Sequence, residues 1–522
     1  MAGRTGSGGG IGGGGYSLQR GGYRPPAGRR PQAWQVVSAV CAVAMLLCNF
    51  HRSVFTALLP LCAHSLALSP GELGLAQSSM LVGYLAGQLP AGHLADEHGG
   101  DRVLLVGLAL WSLATAATAG AAGLSTAPTL MLPMPGPAGP TGLGLSPALA
   151  WLLGARAAMG LASSVIMPAV SAATAQWVPR DRVAATLAAI YAFFNLGGVL
   201  GLVVAPQLAL RSGWPGAFVT AAAGGVVWAL LGSAAVARAG ARPQLPGQQT
   251  AALLPVAQQE PTALPGAPAA PAPAGSAPQP PPAAPGPAPG ADRGAAGGPS
   301  TSGRAPDAAT VAATRVQVAA LCWCHGVIGW GFFVLQAWIP LYLQSLGVAD
   351  LASAGLLASL PWLAAALTAT LAGGLADRLV RGGAWGRLAV RRAMHGVSTL
   401  GCAAAVLPLA AGVGGGVGPA ALSPAVATLC LVAAVGCYGA SFGGFHAYVQ
   451  DVASADAGKI LGLTNTASIA GGIAGNLATG WLLQAGSGYA GVFWVAAGLY
   501  VSSWLVFTAL LKGEPISLAA LR

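Results

Sequence analysis

Arg52 and Arg156 are the residues of this 522-residue chain whose type and position ask most plainly for chemistry. Of 24 basic and 13 acidic side chains, they alone fall well inside long apolar stretches. A charge at bilayer depth costs roughly 2.5–3.5 kcal/mol on insertion scales, and two like charges on one cavity add repulsion. An anion offsets both. The planar guanidinium fork matches phosphate or carboxylate bidentately. Snorkelling, or pairing with backbone carbonyls, is the plainer alternative for each. Tyr84 and Tyr342 are aromatic candidates for the same site, although aromatics at helical spacing commonly pack or sit at the membrane interface. His51, His325 and His446 are candidates for coupling, because imidazole exchanges protons near neutral pH; a lone His in an apolar helix is also a common packing residue. No Asp or Glu lies in the interior of the first six apolar spans, Glu72 standing at the edge of the second, and Asp451, at the end of the tenth, is expected to pair with a basic loop residue.

The elements that position these residues belong to a membrane protein. The chain is 55% hydrophobic and 7% charged, whereas a soluble domain carries about 25% charged residues. The net charge of +11 is spread singly or in small groups between apolar runs, without the clustered basic face that nucleic acid requires. Eight cysteines form no C-x-x-C pair, so neither a disulfide frame nor a metal site is expected. Nothing resembles a nucleotide-binding loop or a catalytic triad, so no enzymatic role and no cofactor are expected, apart from a co-transported Na⁺ or H⁺. The expected partners are a small anion and the lipid bilayer, and the expected state is a monomer.

Twelve apolar stretches reach the roughly 20 residues that cross the hydrocarbon. They lie near 35–62, 72–94, 103–124, 147–176, 184–206, 214–237, 315–345, 351–375, 394–413, 421–446, 459–484 and 489–511. Backbone groups in lipid must be satisfied internally, so an all-α membrane protein of twelve helices in two six-helix halves is expected. The halves span 34–237 and 315–512. Residues 1–33 form a basic, Gly-rich tail or transit-like segment, 238–314 a Pro/Ala/Gly-rich segment that reads as a disordered linker, and 513–522 a C-terminal tail. The stretch at 125–146 and a Gly-rich one at 411–418 read as loops. Lys and Arg fall on alternate loops, with Arg211 alone on the other side; the positive-inside rule therefore puts both termini on the cytosolic or stromal side.

The halves repeat a motif. After span two the chain reads Gly92-His93-Leu94-Ala95-Asp96, then Gly99-Gly100-Asp101-Arg102; after span eight it reads Gly374-Leu375-Ala376-Asp377-Arg378, then Gly382-Gly383. Duplicated halves around a midplane site are the architecture of alternating access. G-x-L-A-D followed by a basic residue resembles the signature loop of the major facilitator superfamily. Further matches resemble its anion:cation symporter branch of plastid phosphate, sodium/phosphate, sialic-acid and vesicular glutamate transporters. They include Cys48-Asn49 with Arg52, Gly83-Tyr84 with Gln88 and Pro90, Arg156 with Met159-Gly160, and Gln176-Trp177-Val178-Pro179. In the second half they are Trp330-Gly331 with Trp338, Pro340 and Tyr342, then Pro361-Trp362, Gln450-Asp451 and Asn465-Thr466. The resemblance implies substrate-binding arginines at 52 and 156, favours phosphate, and is compatible with a plastid membrane. Ser163 stands where the family commonly has a membrane-embedded Glu implicated in coupling, and His51 where plant members have an acidic residue. Carboxylate-based coupling therefore does not carry over.

Three readings follow: transport of inorganic phosphate or a related anion; transport of an organic anion such as ascorbate, glutamate or sialate; and a non-transporting sensor or scaffold on a transporter fold. The glycines at 197, 198 and 201 and at 471, 472 and 475 are expected to permit close helix crossing, with or without sliding.

Overall fold

A computed structural model describes residues 32–126, 130–136, 139–179, 182–240, 308–412, 422–453 and 456–516. The Gly-rich leader, nearly all of the expected linker, the 413–421 loop and residues 517–522 lie outside the described residues. The first half comprises α1 (Ala33–Ser65), α2 (Pro70–His98), α3 (Gly100–Thr118), α4 (Pro147–Ser163), α5 (Ile166–Trp177) and α6 (Val183–Ala239). The second comprises α7 (Ala308–Ser345), α8 (Leu351–Arg381), α9 (Arg387–Ala411), α10 (Pro424–Tyr438), α11 (Phe445–Val452), α12 (Ala457–Gln484) and α13 (Gly488–Leu510). Helix α7 starts at Ala308, ahead of the expected 315.

These elements make twelve crossings among the described residues. Helix α6 runs for 57 residues, about 85 Å at 1.5 Å per residue and far too long for one crossing. Gly213, at φ 67°, breaks it into spans five and six; that left-handed backbone is open to glycine at little steric cost. The fourth span of each half is likewise broken part-way along its length. Ser164 and Val165 separate α4 from α5, and a 3₁₀ turn at Gly439–Phe442 separates α10 from α11. Among the described residues nine helical segments, Ala189–Ala239 of α6 among them, are long and apolar enough to span by length and composition alone. Helices α2 and α12 fall outside that set, and Gln77, Ser78, Thr464 and Asn476 are among their buried polar side chains.

Local chemistry starts several of these helices. Ser69 and Glu72 form a reciprocal capping box with Pro70 at the first turn of α2. Ser146-Pro147 and Ser423-Pro424 open the fourth span of each half, each serine accepting a bond from the helix's own amide. Asp350 caps α8. Between α3 and α4 the chain forms an antiparallel hairpin, Leu130–Gly136 with Gly139–Leu145, rather than the expected loop. Cross-strand pairing satisfies backbone groups that an open loop would leave to water.

Packing relies on small residues, as expected where lipid removes any hydrophobic drive between helices. A Cβ at Gly83 would strike the Ala157 carbonyl, and one at Gly160 the Met80 carbonyl, so α2 and α4 touch backbone to backbone. Gly197 and Gly201 face Leu46 and Phe50 of α1, Gly198 faces Asn49, and Gly471 faces Gly326 of α7. Gly472 and Gly475 face Phe333 and Val334. These two glycine sets therefore knit each half internally.

The halves meet toward the face away from the start of α1. Gln77 donates to the Ala337 carbonyl (3.2 Å), Ser78 to the Ile473 carbonyl (3.2 Å) and Gln336 to Asn49 (3.4 Å). Gly74 and Gly480 cross at van der Waals contact, and Gly355 lies against the Leu202 carbonyl. Toward the opposite face, Cβ atoms built on Gly92, Gly374, Gly458 and Gly462 would meet nothing within 4 Å. The molecule is closed at one face and open at the face from which α1 starts. After α13 the chain turns back on the second half: Gly513 N–H donates to the Tyr448 hydroxyl (3.0 Å) and Ile516 N–H to the Val452 carbonyl (2.7 Å).

Candidate functional site

At the junction of the halves lies a cavity of about 30 Å³, lined by Arg52, Thr56, Gln77, Met80, Leu81 and Arg156 from the first half. Phe333, Gln336, Ala337 and Asn476 close it from the second. Helix α1 presents Arg52 and α4 presents Arg156, so the two guanidinium groups noted in the sequence share one enclosure. Arg156 is 3% exposed and stacks its guanidinium 3.9 Å from the Phe55 ring centre, with Nη1 3.2 Å from the Met159 sulfur. Arg52 lies 5.1 Å from the Tyr84 ring centre. The Nε atom of each arginine is buried without a hydrogen-bond partner, and among the described residues neither pairs with a carboxylate. Ring faces soften a buried cation but leave each Nε–H donor unused. Donors without acceptors at low dielectric are costly, and an anion supplies the acceptors. The cavity has room for about two water-sized spheres, so an entering anion must shift the arginine side chains and trade its hydration shell for them.

The amides around the arginines are held in place. Trp338 Nε1 donates to Asn476 Oδ1 (3.0 Å), and Asn49 Nδ2 to the Phe194 carbonyl (3.0 Å). Gln77 and Gln336 belong both to the cavity lining and to the contacts between halves. Whatever occupies the cavity therefore touches side chains that hold its far wall shut.

The other residues singled out in the sequence are dispersed. Tyr84 is buried beneath Arg52. Tyr342 packs on Tyr489 and Phe493, with ring centres 5.0 and 5.1 Å away, outside the cavity lining. His51 is fully buried, and its Nε2 lies 3.0 Å from the Ala221 carbonyl of α6, so it faces the interior of the first half. His325 and His446 stand together, ring centres 5.3 Å apart, on α7 and α11. In the signature loops, Asp96, Arg102, Gly374, Asp377 and Arg378 are exposed and Gly92 is half-buried at the open face. Asp451 pairs with Arg391 (2.7 Å) and more loosely with Arg387 (3.8 Å), the structural pairing expected of it. Ser163 is buried and bonds the Gly160 carbonyl. The sequence reading passed over Thr56, Gln77, Phe333, Gln336 and Asn476. It counted formal charges, whereas an intramembrane amide carries the same kind of signal at lower intensity.

The model of the Major Facilitator Superfamily matches residues 41–475. The chain is 31% identical over 490 residues to the sodium-dependent phosphate transport protein 1, chloroplastic, of Arabidopsis thaliana, covering 93% of this chain and 80% of that one. It is 32% identical over 491 residues to the probable anion transporter 1, chloroplastic, of Oryza sativa subsp. japonica (94% and 78%). It is 31% identical over 490 residues to the ascorbate transporter, chloroplastic, of Arabidopsis thaliana (93% and 76%). Among solved structures, a D-xylose–proton symporter superposes with a TM-score of 0.60 at 15% identity, covering 92% of this chain and 98% of that one. A bacterial homolog of the human lysosomal transporter Spinster, inward-facing and occupied, gives 0.59 at 15% identity (94% and 96%). With its twelve crossings in two matched halves, this chain belongs to the Major Facilitator Superfamily.

Proposed function

We propose that this protein carries a small anion, in first place inorganic phosphate, across its membrane by alternating access. The observation that carries the reading is the pair of guanidinium groups in one cavity between the halves, each with a buried donor unsatisfied and neither with a carboxylate. Arg52 and Arg156 hold the anion. Gln77, Gln336 and Asn476 orient it and link its presence to the closure between halves. The names of the relatives support an anionic cargo, and their chloroplast location supports a plastid membrane, with the termini on the stromal or cytosolic side. A single chain contains both walls of the site, in keeping with a monomeric unit. A second reading, an organic carboxylate, draws on Phe333, which offers an apolar surface beside the arginines, and on the ascorbate-transporting relative.

The test is uptake of radiolabelled phosphate into proteoliposomes, with Na⁺, pH and membrane potential imposed separately, beside Arg52→Ala and a competition series with ascorbate and glutamate. Saturable uptake lost in the variant supports the proposal. Stronger competition by an organic anion than by phosphate itself moves the cargo to the second reading. Absence of uptake under every gradient, from folded protein, leaves a sensor with a transporter fold.

A further inference from the structure

The second half carries an ionisable cluster outside the anion cavity. His325 on α7 and His446 on α11 stand edge to face, ring centres 5.3 Å apart with planes at 80°. His325 Nδ1 lies 3.0 Å from the Thr464 hydroxyl of α12, which in turn donates to the Leu461 carbonyl (3.3 Å). His446 Nδ1 lies 3.3 Å from the Ser441 carbonyl and so carries its hydrogen there. If Thr464 spends its proton on Leu461, it accepts from His325, and both rings turn their Nε2 atoms into base positions. Eight residues separate His325 from Phe333 on α7, about 12 Å of helix, which sets the pair between the cavity and the open face. A continuous run of ring contacts joins the two places: Phe333 to Phe332 (5.1 Å), Tyr438 (5.6 Å), Phe442 (6.4 Å) and His446 (5.0 Å). Phe442 is 47% exposed and His446 half-buried, so the run ends at an exposed edge of the bundle.

We infer that His325 and His446, braced by Thr464, form a proton-binding site that couples proton movement to the anion cycle. The inference rests on the anion-transport reading. A second proton at this spacing meets the repulsion of the first, so the pair takes one. An imidazolium here is received by the faces of Phe442 and Phe445, the latter 4.7 Å from His325. The helices that hold the pair also matter for the cavity. Helices α7 and α12 carry Phe333, Gln336 and Asn476 into it, so a change in how they clasp at the histidines reaches the anion's second wall. Ionisable groups on the surrounding elements include Cys324 on α7, His395, Arg391 and Arg392 on α9, Tyr448 and Asp451 on α11, Lys459 on α12 and Glu514 beyond α13; Arg392 donates to the Thr508 and Leu511 carbonyls. Arg391 holds Asp451, Asp456 holds Lys459, Gln317 meets Glu514, and Tyr448 accepts from Gly513. His395 is sealed against Phe507 and Ser503, as His51 is in the first half. The His325–His446 pair is thus the imidazole site with a neighbour of its own kind and an exposed edge beside it.

The experiment compares two modes in proteoliposomes: phosphate counterflow at equal pH on both sides, and net phosphate uptake driven by an imposed pH gradient. In the unaltered protein both are expected; a gradient of one pH unit sustains at most about tenfold accumulation per proton. His325→Gln and His446→Gln are expected to keep counterflow while gradient-driven uptake falls to the gradient-free rate. Thr464→Val, which alters no charge, is expected to keep driven uptake and shift its pH midpoint. Driven uptake that survives both His substitutions overturns the inference, as does unaltered protein that ignores the pH gradient and follows Na⁺ alone. Loss of counterflow in all three variants marks the cluster as packing and overturns it too. Absence of counterflow in the unaltered protein removes anion transport itself, and this inference with it.

Discussion

The first half meets the cavity with Arg52 and Arg156; the second meets it with Phe333, Gln336 and Asn476. The two halves share a plan, down to a fourth span that opens on Ser-Pro and breaks part-way along its length. They have divided the chemistry. Cation sits on one wall, aromatic and amide surface on the other, and the imidazole pair lies beyond that second wall. A repeat therefore preserves how helices start, cross and bend, while side chains pointing into the cavity are free to differ. Symmetry lives in the packing and asymmetry in the site.

Substitutions at four positions would break or sharpen this contrast. The largest effect is expected from Arg156→Ala. It removes one of two desolvated cations, an interaction of the class worth about 2–5 kcal/mol, so phosphate kcat/KM in counterflow should fall about 100-fold or more. Arg156→Lys keeps charge but loses the fork, and a fall of about tenfold is expected. Near-normal transport by Arg156→Ala would mean that the cationic wall is not the site. Next is Gly480→Leu. A side chain there meets the Pro70 carbonyl and Gly74, so the far face cannot close, and turnover should slow about tenfold with reduced effect on equilibrium anion binding. Cysteine labelling of position 336 from the far face should rise in parallel. Phe333→Ala opens the second wall. Preference for bulky carboxylates over phosphate is expected to rise about tenfold, read as the ratio of their inhibition constants, and no shift would deny the wall a part in selection.

The smallest effect is expected at Asp350. The Ser353 hydroxyl and amide hold its carboxylate below the ordinary value. A depressed folded pKa contributes stability above the unfolded value near 3.9 and loses it as pH falls through the folded value. Asp350→Ala should therefore raise amide exchange at Ala352 and Ser353 at neutral pH, with transport unchanged. Acidification should do the same to the unaltered protein.

Sequence patterning carried the crossings well because lipid leaves so little choice: apolar length, alternating basic loops and the repeated G-x-L-A-D motif each bear on the same twelve spans. It also brought forward Arg52 and Arg156, since a charge in an apolar run stands out by cost alone. It was weaker on Tyr342 and His51. Their helical periodicity names a face only within a helix, and which neighbour that face meets is decided by how α7 and α1 rotate in the bundle. Gln77, Gln336 and Asn476 were missed for a related reason, since an amide draws attention only once its donors are seen to bridge two halves. The 57 residues of α6 were divided correctly near 206–214 by composition, although the device that divides them, Gly213 at positive φ, is a matter of backbone geometry.

The segment that turns back after α13 bears on the order in which the molecule can be made. Leu511 and Ile516 are buried with Val318 and Leu321 of α7, and the Val452 carbonyl waits for the Ile516 amide. The first half has all its partners in hand once Ala239 has left the ribosome, apart from the contacts it shares with the second. The second half keeps an open seam between α7 and α11 until residue 516 emerges. Folding during synthesis proceeds from the N-terminal unit, so the half bearing the arginines is a finished surface against which the other assembles. A nascent chain stalled before residue 511 would leave that seam open to its surroundings.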